Sequence, residues 1–199
     1  MTNSTHIQLF HFERCPYCEK ARRAFQALHL DYESHLIDPS DRSEVKKVSG
    51  QEKVPVIHDG ETLVVGSTQI VKYLDTYYGS SQHLIPKNPQ DMAQTVIFDK
   101  FADEVWGPLT YKSLTRKGDD GAILNRNELD NLRDEIETEA TLIDDYFQGH
   151  EYIVGVTPSL GDLALTAFIS RIEEHSPFDI GDNHKYLWNW YHRVGDRLN

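Results

Sequence analysis

The residues whose types and spacing most directly indicate chemistry are two cysteines, Cys15 and Cys18. They are the only cysteines among 199 residues, and they lie three positions apart in the stretch ERCPYCEKARRAF. Such a pair can be a redox dithiol, half of a metal site, or two inert thiols. The residues around the pair decide between these alternatives.

The metal alternative requires further ligands. A structural zinc ion takes four ligands, so two of the ten histidines would have to complete the site with the cysteines. No pair of histidines has finger-like spacing relative to the CxxC motif. We therefore expect no metal here.

A strand and then a helix are predicted around the cysteine pair. HIQLFHF (6–12) is short and mostly apolar, which is typical of a buried strand. After Cys15, apolar side chains recur at helical spacing, at Ala21, Ala24, Phe25 and Leu28. Inert thiols are a poor interpretation of a pair placed at such a junction.

The start of a helix favours a reactive thiolate. Its free N–H groups and partial positive charge stabilise an anion. Pro16 suits the first helical turn, and thiols in CxxC motifs can have a pKa of about 3.5–7.5. We predict that Cys15 is the nucleophile and that Cys18 can attack a mixed disulfide formed on it. Arg14 and Lys20 either add positive potential at Cys15 or are plain surface charges, and on an acidic protein we favour surface charges.

The elements that hold the cysteine pair in position are predicted over residues 1–79, where strand and helix patterns follow the order β-α-β-α-β-β-α. The pattern predicts a strand over 31–37, a helix with a capping box at 41–44 that ends at Gly50, a hairpin over 54–65, and a helix with Ser67 as N-cap. A CxxC motif beside a β-α-β pattern is typical of a thioredoxin-like redox domain.

The second half shows only helical patterns. Residues 80–90 are rich in Ser, Pro and Asn and are predicted to be a linker. Helices are predicted over about 90–116 with a kink at Gly107-Pro108, over about 127–148, from Ser159 with a capping box to Asp162, and around Trp190. The expected fold class is α/β plus all-α, with a thioredoxin-like domain at 1–79 and a helical bundle at 91–199.

A proline at the start of a predicted strand supports the same interpretation. Val54-Pro55 begins the third strand, where a cis X-Pro bond is rare and usually serves a purpose. In a thioredoxin-like fold such a proline faces the reactive thiol and exposes the preceding backbone to an extended peptide. An ordinary proline at the beginning of a strand is the alternative.

Composition excludes several classes of function. The formal net charge of −12 argues against nucleic-acid binding and against binding to anionic membranes. No apolar run approaches the roughly 18–20 residues of a membrane span, and the N-terminus does not resemble a signal peptide. Two cysteines cannot build a disulfide framework, so we expect a reducing, cytoplasmic setting.

Four motifs together resemble the glutathione transferase superfamily: CPYC, KVPVI, GSTQIVKYL and SLGDLALTAFI. The resemblance spans essentially the whole chain. It is closest to members with a glutaredoxin-type dithiol, namely two-domain glutaredoxins and omega-like cysteine transferases, and CPYC is its most specific motif. It implies a GST-like architecture and glutathione as a co-substrate.

The resemblance also implies a glutathione site in the N-terminal domain. Val54, followed by Pro55, would pair its backbone with the cysteinyl part of glutathione. Ser67 and Thr68 would hold the γ-glutamyl carboxylate through hydroxyl groups and helix N-terminal N–H groups, which suit an anion.

Two further binding residues and one departure complete this implied site. Lys53 would meet the glycyl carboxylate, and Tyr17 would line the groove. Gly66 departs from the family, because many transferases have an acidic residue or glutamine there that contacts the γ-glutamyl amine. The catalytic position holds Cys15, whereas conjugating transferases have Tyr or Ser.

Three functions follow as hypotheses. The leading one is a glutathione-dependent thiol–disulfide oxidoreductase. The second is a cysteine-type transferase acting on a carbon electrophile, with Trp106, Tyr111 and Phe168 as candidate cleft walls or ordinary core residues. The third is a non-enzymatic binding or assembly module, with or without an iron–sulfur cluster. The expected partners are glutathione and a disulfide or electrophilic substrate, and the chain is a possible homodimer.

Overall fold

The computed structural model describes residues 6–79 and 83–198. These residues form two compact units, and the boundary between the units lies between Ile85 and Pro86. Among the helices of the described residues, none combines the length and the hydropathy that a membrane-crossing segment requires.

The first unit has the predicted order β-α-β-α-β-β-α. Its elements are β1 Gln8–His11, α1 Pro16–Ala27, β2 Glu33–Leu36, α2 Ser43–Ser49, β3 Val56–Asp59, β4 Thr62–Val65 and α3 Ser67–Tyr78. The four strands form one sheet in the order β2-β1-β3-β4. Strand β1 is parallel to β2 and antiparallel to β3, and β3 is antiparallel to β4. This mixed sheet confirms the thioredoxin-like prediction.

Both faces of the central strands are buried. Phe10 of β1 and Val56 of β3 are cross-strand partners, and they pack with Val45 of α2 in one apolar cluster. The neighbouring pair, Leu9 and Ile57, points to the opposite face because successive side chains of a strand alternate, and both residues are fully buried. Helices α1 and α3 pack against each other and contribute buried apolar side chains at Ala21, Ala24, Phe25, Ile70, Val71 and Leu74.

Two predicted helix starts in this unit were wrong. Helix α2 begins at Ser43 after Arg42, and no capping box forms at 41–44. The Asp41 carboxylate instead accepts the Ser43 N–H at 3.0 Å, a short local turn that competes with helix capping. Helix α3 begins at Ser67 itself, so the N-cap residue is Gly66, whose φ of 92° lets β4 run directly into the helix.

The second unit is helical, as predicted. Its helices are α4 Pro89–Phe101, a π-helical turn Ala102–Trp106, α5 Gly107–Thr115, α6 Arg126–Phe147, α7 Leu160–His175 and α8 Lys185–Leu198. The π-helical turn lies just before the predicted kink at Gly107-Pro108. Pro108 has no N–H to donate, and a π-helical turn accommodates such an interruption of the hydrogen-bond ladder.

The predicted capping box of α7 is confirmed, and its acidic residue does more than cap the helix. Asp162 accepts the Ser159 N–H at 2.8 Å and the Ser159 hydroxyl at 2.7 Å through Oδ2. Its Oδ1 accepts the Ile153 N–H at 3.0 Å and the Trp190 indole N–H at 2.8 Å. One buried carboxylate therefore joins the loop after α6, the start of α7 and the middle of α8.

Candidate active site

The structure places Cys15 where the sequence predicted it. Cys15 is the N-cap residue of α1, with extended backbone angles, and Pro16 is the first helical residue. The Glu19 N–H donates to the Cys15 carbonyl at 2.9 Å, which closes the first turn. The Cys15 side chain is half-buried. It is thus positioned at the end of a helix that favours negative charge.

The two thiols have opposite protonation preferences. A hydrogen bond from the Cys18 thiol, together with the N–H groups of Cys18 and Tyr17 and the nearby Arg22 charge, lowers the pKa of Cys15 to about 7. Burial acts against this shift but does not cancel it. Burial and then the bond to Cys15 raise the pKa of Cys18, whose side chain is fully buried. The arrangement therefore stabilises a Cys15 thiolate beside a protonated Cys18.

Arg22 is a site residue that the sequence reasoning missed. Its Nη2 donates to the Glu13 carbonyl at 3.1 Å, and its Nη1 donates to the Phe12 carbonyl at 3.3 Å and to His11 Nδ1 at 2.9 Å. Glu19 accepts two further bonds from Arg22, at 2.6 and 2.9 Å. The guanidinium therefore contacts the chain segment that leads into Cys15.

The contact with Arg22 determines which ring nitrogen of His11 carries the proton. Arg22 can only donate, so His11 Nδ1 accepts, and the ring proton lies on Nε2, which donates to Ser34 Oγ at 2.7 Å. Burial and the Arg22 charge lower the pKa of His11. A neutral imidazole thus connects β1, β2 and α1 behind the cysteine pair.

The proline element is present as predicted. The Val54–Pro55 peptide bond is cis. The Pro55 carbonyl accepts the Gly66 N–H at 3.0 Å, which fixes this segment to the residue before α3. Val54 is half-buried and packs on the same apolar cluster as Phe12, which precedes the Cys15 loop.

Ser67 and Thr68 form the first turn of α3, and Lys20 links them to α1. Ser67 is buried and Thr68 is half-buried. The Lys20 ammonium donates to Thr68 Oγ1 at 3.0 Å. Lys20 is fully buried, so its interpretation as a surface charge was wrong. Lys20 lies on the side of α1 that faces α3, and its long side chain reaches the first turn of α3.

Tyr17 and Lys53 are the last two candidate residues. Tyr17 lies in the first turn of α1 and is half-buried. Lys53 is exposed; its N–H donates to Gln51 Oε1 at 2.8 Å and its carbonyl accepts from Gln51 Nε2 at 2.7 Å. Lys53 joins the other candidates only as the chain neighbour of Val54. Within residues 6–79 and 83–198, no group of three or more His, Cys, Asp or Glu residues is arranged to hold a metal ion.

Comparison with known proteins agrees with this geometry. Residues 9–82 match the family described as glutathione S-transferase, N-terminal domain. The chain is 23% identical to Glutathione S-transferase U16 of Arabidopsis thaliana over 82% of this chain and 70% of that protein. It is 31% identical to Glutaredoxin 2 of Escherichia coli (strain K12) over 37% of this chain and 34% of that protein.

A solved structure extends the likeness in fold to nearly the whole chain. A delta-class glutathione transferase from Nilaparvata lugens superposes with a TM-score of 0.78 at 24% identity, covering 96% of this chain and 88% of that chain. The match to Glutaredoxin 2, in contrast, spans only about a third of that protein. Residues 9–82 thus match the N-terminal domain of glutathione S-transferases, and the solved structure shows that the chain as a whole has a glutathione transferase-like fold.

Proposed function

We propose that this protein is a glutathione-dependent thiol–disulfide oxidoreductase built on a glutathione transferase scaffold. The observation that carries the proposal is the unequal placement of the two thiols: Cys15 is half-buried at the N-cap of α1, and Cys18 is fully buried one turn along and lowers the pKa of Cys15 through its thiol hydrogen bond. A protein thiolate at this position forms mixed disulfides itself, whereas a conjugating transferase activates the thiol of glutathione. The CPYC motif and the match to Glutaredoxin 2 favour the glutaredoxin-type subgroup.

The proposed cycle balances without a further redox cofactor. The Cys15 thiolate attacks the glutathione sulfur of a mixed disulfide, the S–S bond breaks, and the substrate leaves as a thiolate that takes up a proton. The thiolate of a second glutathione then attacks the glutathione sulfur on Cys15. This step releases oxidised glutathione and restores the Cys15 thiolate, whose hydrogen bond from Cys18 makes it a good leaving group.

Cys18 offers a second way to resolve the intermediate. Its attack on Cys15 Sγ would release glutathione and leave an intramolecular disulfide that two glutathione molecules reduce. The attack requires a Cys18 thiolate, which burial disfavours. We therefore assign the main cycle to glutathione and a reserve role to Cys18.

Five residues are proposed to contact glutathione. The N–H groups and hydroxyls at the first turn of α3, from Ser67 and Thr68, suit the γ-glutamyl carboxylate. The Val54 backbone before the cis proline suits the cysteinyl backbone, the exposed Lys53 suits the glycyl carboxylate, and Tyr17 lines the groove. Since Gly66 offers no side chain to the γ-glutamyl amine, we expect weaker binding than in transferases with an acidic residue there.

Serine variants of the two cysteines test the proposal. Glutathione-dependent reduction of a small mixed disulfide, followed through oxidised glutathione, should be abolished in Cys15→Ser and largely retained in Cys18→Ser. Thermal unfolding of both variants controls for folding. Full activity in Cys15→Ser would eliminate the proposal.

A second candidate is a cysteine-type transferase acting on a carbon electrophile. It is favoured by the likeness of most of the chain to proteins named glutathione S-transferases. Of its three predicted cleft walls, Trp106 and Phe168 are fully buried, as core residues are, and Tyr111 is 55% exposed. Steady turnover of aryl halides or α-haloketones with glutathione would favour this candidate, and its absence the oxidoreductase. Homodimer formation and a cytoplasmic location remain predictions.

A further inference from the structure

Arg22 is placed to control the cysteine loop from behind. It lies four residues after Cys18 on α1, so both side chains share a helix face, and helical side chains lean toward the N-terminus. Only 16% of its side chain is exposed. The guanidinium consequently lies beside the segment that connects β1 to Cys15 rather than in solvent.

The Arg22 contacts fix backbone that lies outside regular structure. Strand β1 ends at His11, and the carbonyls of Phe12 and Glu13 follow it. Arg22 donates to both carbonyls, at 3.3 and 3.1 Å. The planar fork of a guanidinium can hold two such acceptors at once, which an ammonium cannot do with the same geometry. The fork thus braces the two residues that precede Arg14 and Cys15.

The groups around Arg22 come from every neighbouring element. Glu19 on the same helix accepts two bonds from it and neutralises part of its charge. His11 of β1 accepts a third bond and is neutral in this role. Burial raises the pKa of the Tyr32 phenol, before β2, and the nearby Arg22 charge offsets part of that rise. The Arg22 charge also favours the thiolate form of both Cys15 and Cys18, and of these two thiols only Cys15 has a pKa near neutral pH.

We propose that Arg22 is a positioning residue for Cys15, holding the Phe12–Glu13 backbone with its fork and keeping a positive charge beside the thiolate. The charge effect is independent of any substrate. The effect on turnover rests on the proposed function, since it is measured with glutathione.

Arg22→Gln, which removes the charge, tests the electrostatic part. The pH midpoint of Cys15 alkylation by iodoacetamide should rise by about half a unit, less than in a variant without the Cys18 thiol, because the Arg22 charge favours the thiolate but contributes less than that hydrogen bond. At pH 6 the thiolate fraction then falls about 3-fold, and the higher intrinsic nucleophilicity of a more basic thiolate restores about 1.7-fold, which leaves alkylation about 2-fold slower. An unchanged midpoint would overturn the electrostatic role.

Arg23→Gln is the matched control. Arg23 is buried on the same helix and pairs with Glu19 at 3.1 Å. The Arg23 Nε donates to Glu19, whereas the bonds to the Phe12 and Glu13 carbonyls come from Arg22, so loss of the Arg23 charge should leave the Cys15 midpoint unchanged. Equal shifts in Arg22→Gln and Arg23→Gln would overturn the proposal, because they would indicate a general effect of charge or stability.

Glu19→Gln and Arg22→Lys separate charge from geometry. Removing the Glu19 charge leaves the Arg22 charge uncompensated, so the Cys15 midpoint should fall, opposite to Arg22→Gln. Arg22→Lys keeps the charge but loses the fork, so the midpoint should stay near that of the wild type while kcat for the mixed disulfide falls several-fold at unchanged KM. A wild-type midpoint and wild-type kcat in Arg22→Lys would refute the brace, and this variant also serves if Arg22→Gln does not fold.

The pH midpoint of Cys15 alkylation and the rate of mixed-disulfide reduction together distinguish a failure of the Arg22 inference from a failure of the proposed function. Alkylation requires no glutathione, so a midpoint shift in Arg22→Gln together with no disulfide reduction by the wild type would retain the inference and reject the oxidoreductase. Normal reduction by the wild type with no shift in any Arg22 variant would do the reverse.

Discussion

Replacing Cys18 by alanine should make Cys15 more basic, and the size of the effect follows from the structure. The hydrogen bond from the Cys18 thiol is the largest contribution that lowers the pKa of Cys15 to about 7. Relative to an ordinary value of 9.0 the whole shift is about 2 units, or about 2.7 kcal/mol in favour of the thiolate. Loss of the largest contribution should therefore raise the Cys15 pKa by about one unit.

The change in rate is more informative than the change in pKa alone. At pH 7 a rise from about 7 to about 8 reduces the thiolate fraction from about one half to about one tenth. The more basic thiolate is about 3-fold more nucleophilic, so alkylation slows only about 2-fold. Above pH 9, where both proteins are ionised, Cys18→Ala should react about 3-fold faster than the wild type. The two pH–rate curves must therefore cross.

Iodoacetamide alkylation followed by mass spectrometry measures these curves, and Cys18→Ser is the matched control. In both variants Cys15 is the only cysteine that remains. The serine hydroxyl can still donate to the thiolate, so Cys18→Ser should keep a midpoint near 7. Identical midpoints for wild type, Cys18→Ala and Cys18→Ser would refute the reasoning that the thiol–thiolate hydrogen bond controls Cys15.

Three further predictions address the supporting structure. Asp162→Asn should lower the free energy of unfolding in urea by about 3–5 kcal/mol, because an amide cannot accept all four hydrogen bonds. Trp190→Phe removes only one of these bonds and should cost about 1–3 kcal/mol. Similar losses in the two variants would contradict the role of Asp162 as the shared acceptor. Lys20→Met should raise the KM for glutathione about 5-fold with little change in kcat, because the hydrogen bond from Lys20 that orients Thr68 is worth about 1 kcal/mol. An unchanged KM would argue against a role of Lys20 in orienting Thr68. The lowered pKa of His11 means that the unfolded chain binds more protons near pH 6, so stability should decrease as the pH falls below about 6.5, and His11→Gln should reduce this decrease.

The sequence was sufficient for features that depend on local spacing. The order of strands and helices, the position of Cys15 at a helix start, and the Ser159–Asp162 capping box all arise within a few residues of chain. The cis Val54–Pro55 bond was also predicted, from its place at a strand start beside a CxxC motif. Each of these features is decided by neighbours that can be read directly from the sequence.

Features that depend on packing between elements were missed or misassigned. Lys20 was interpreted as a surface charge, because nothing in its local sequence shows that α3 covers it. Arg22 was not singled out, although its spacing offered a signal: it lies three residues after Glu19 and four after Cys18. Its bonds to carbonyls nine and ten residues earlier depend on how β1 meets α1, which periodicity does not reveal.

The buried carboxylate of Asp162 has a consequence for the order in which the helical unit is completed. Trp190, which supplies one of its donors, is synthesised 28 residues after Asp162. Until that indole arrives, Asp162 Oδ1 at the start of the most apolar helix of the unit lacks one of its two donors, which is costly in a dry interior. A nascent or proteolysed chain that ends after α7 should therefore stay partly open, expose α7 and be recognised by chaperones or proteases.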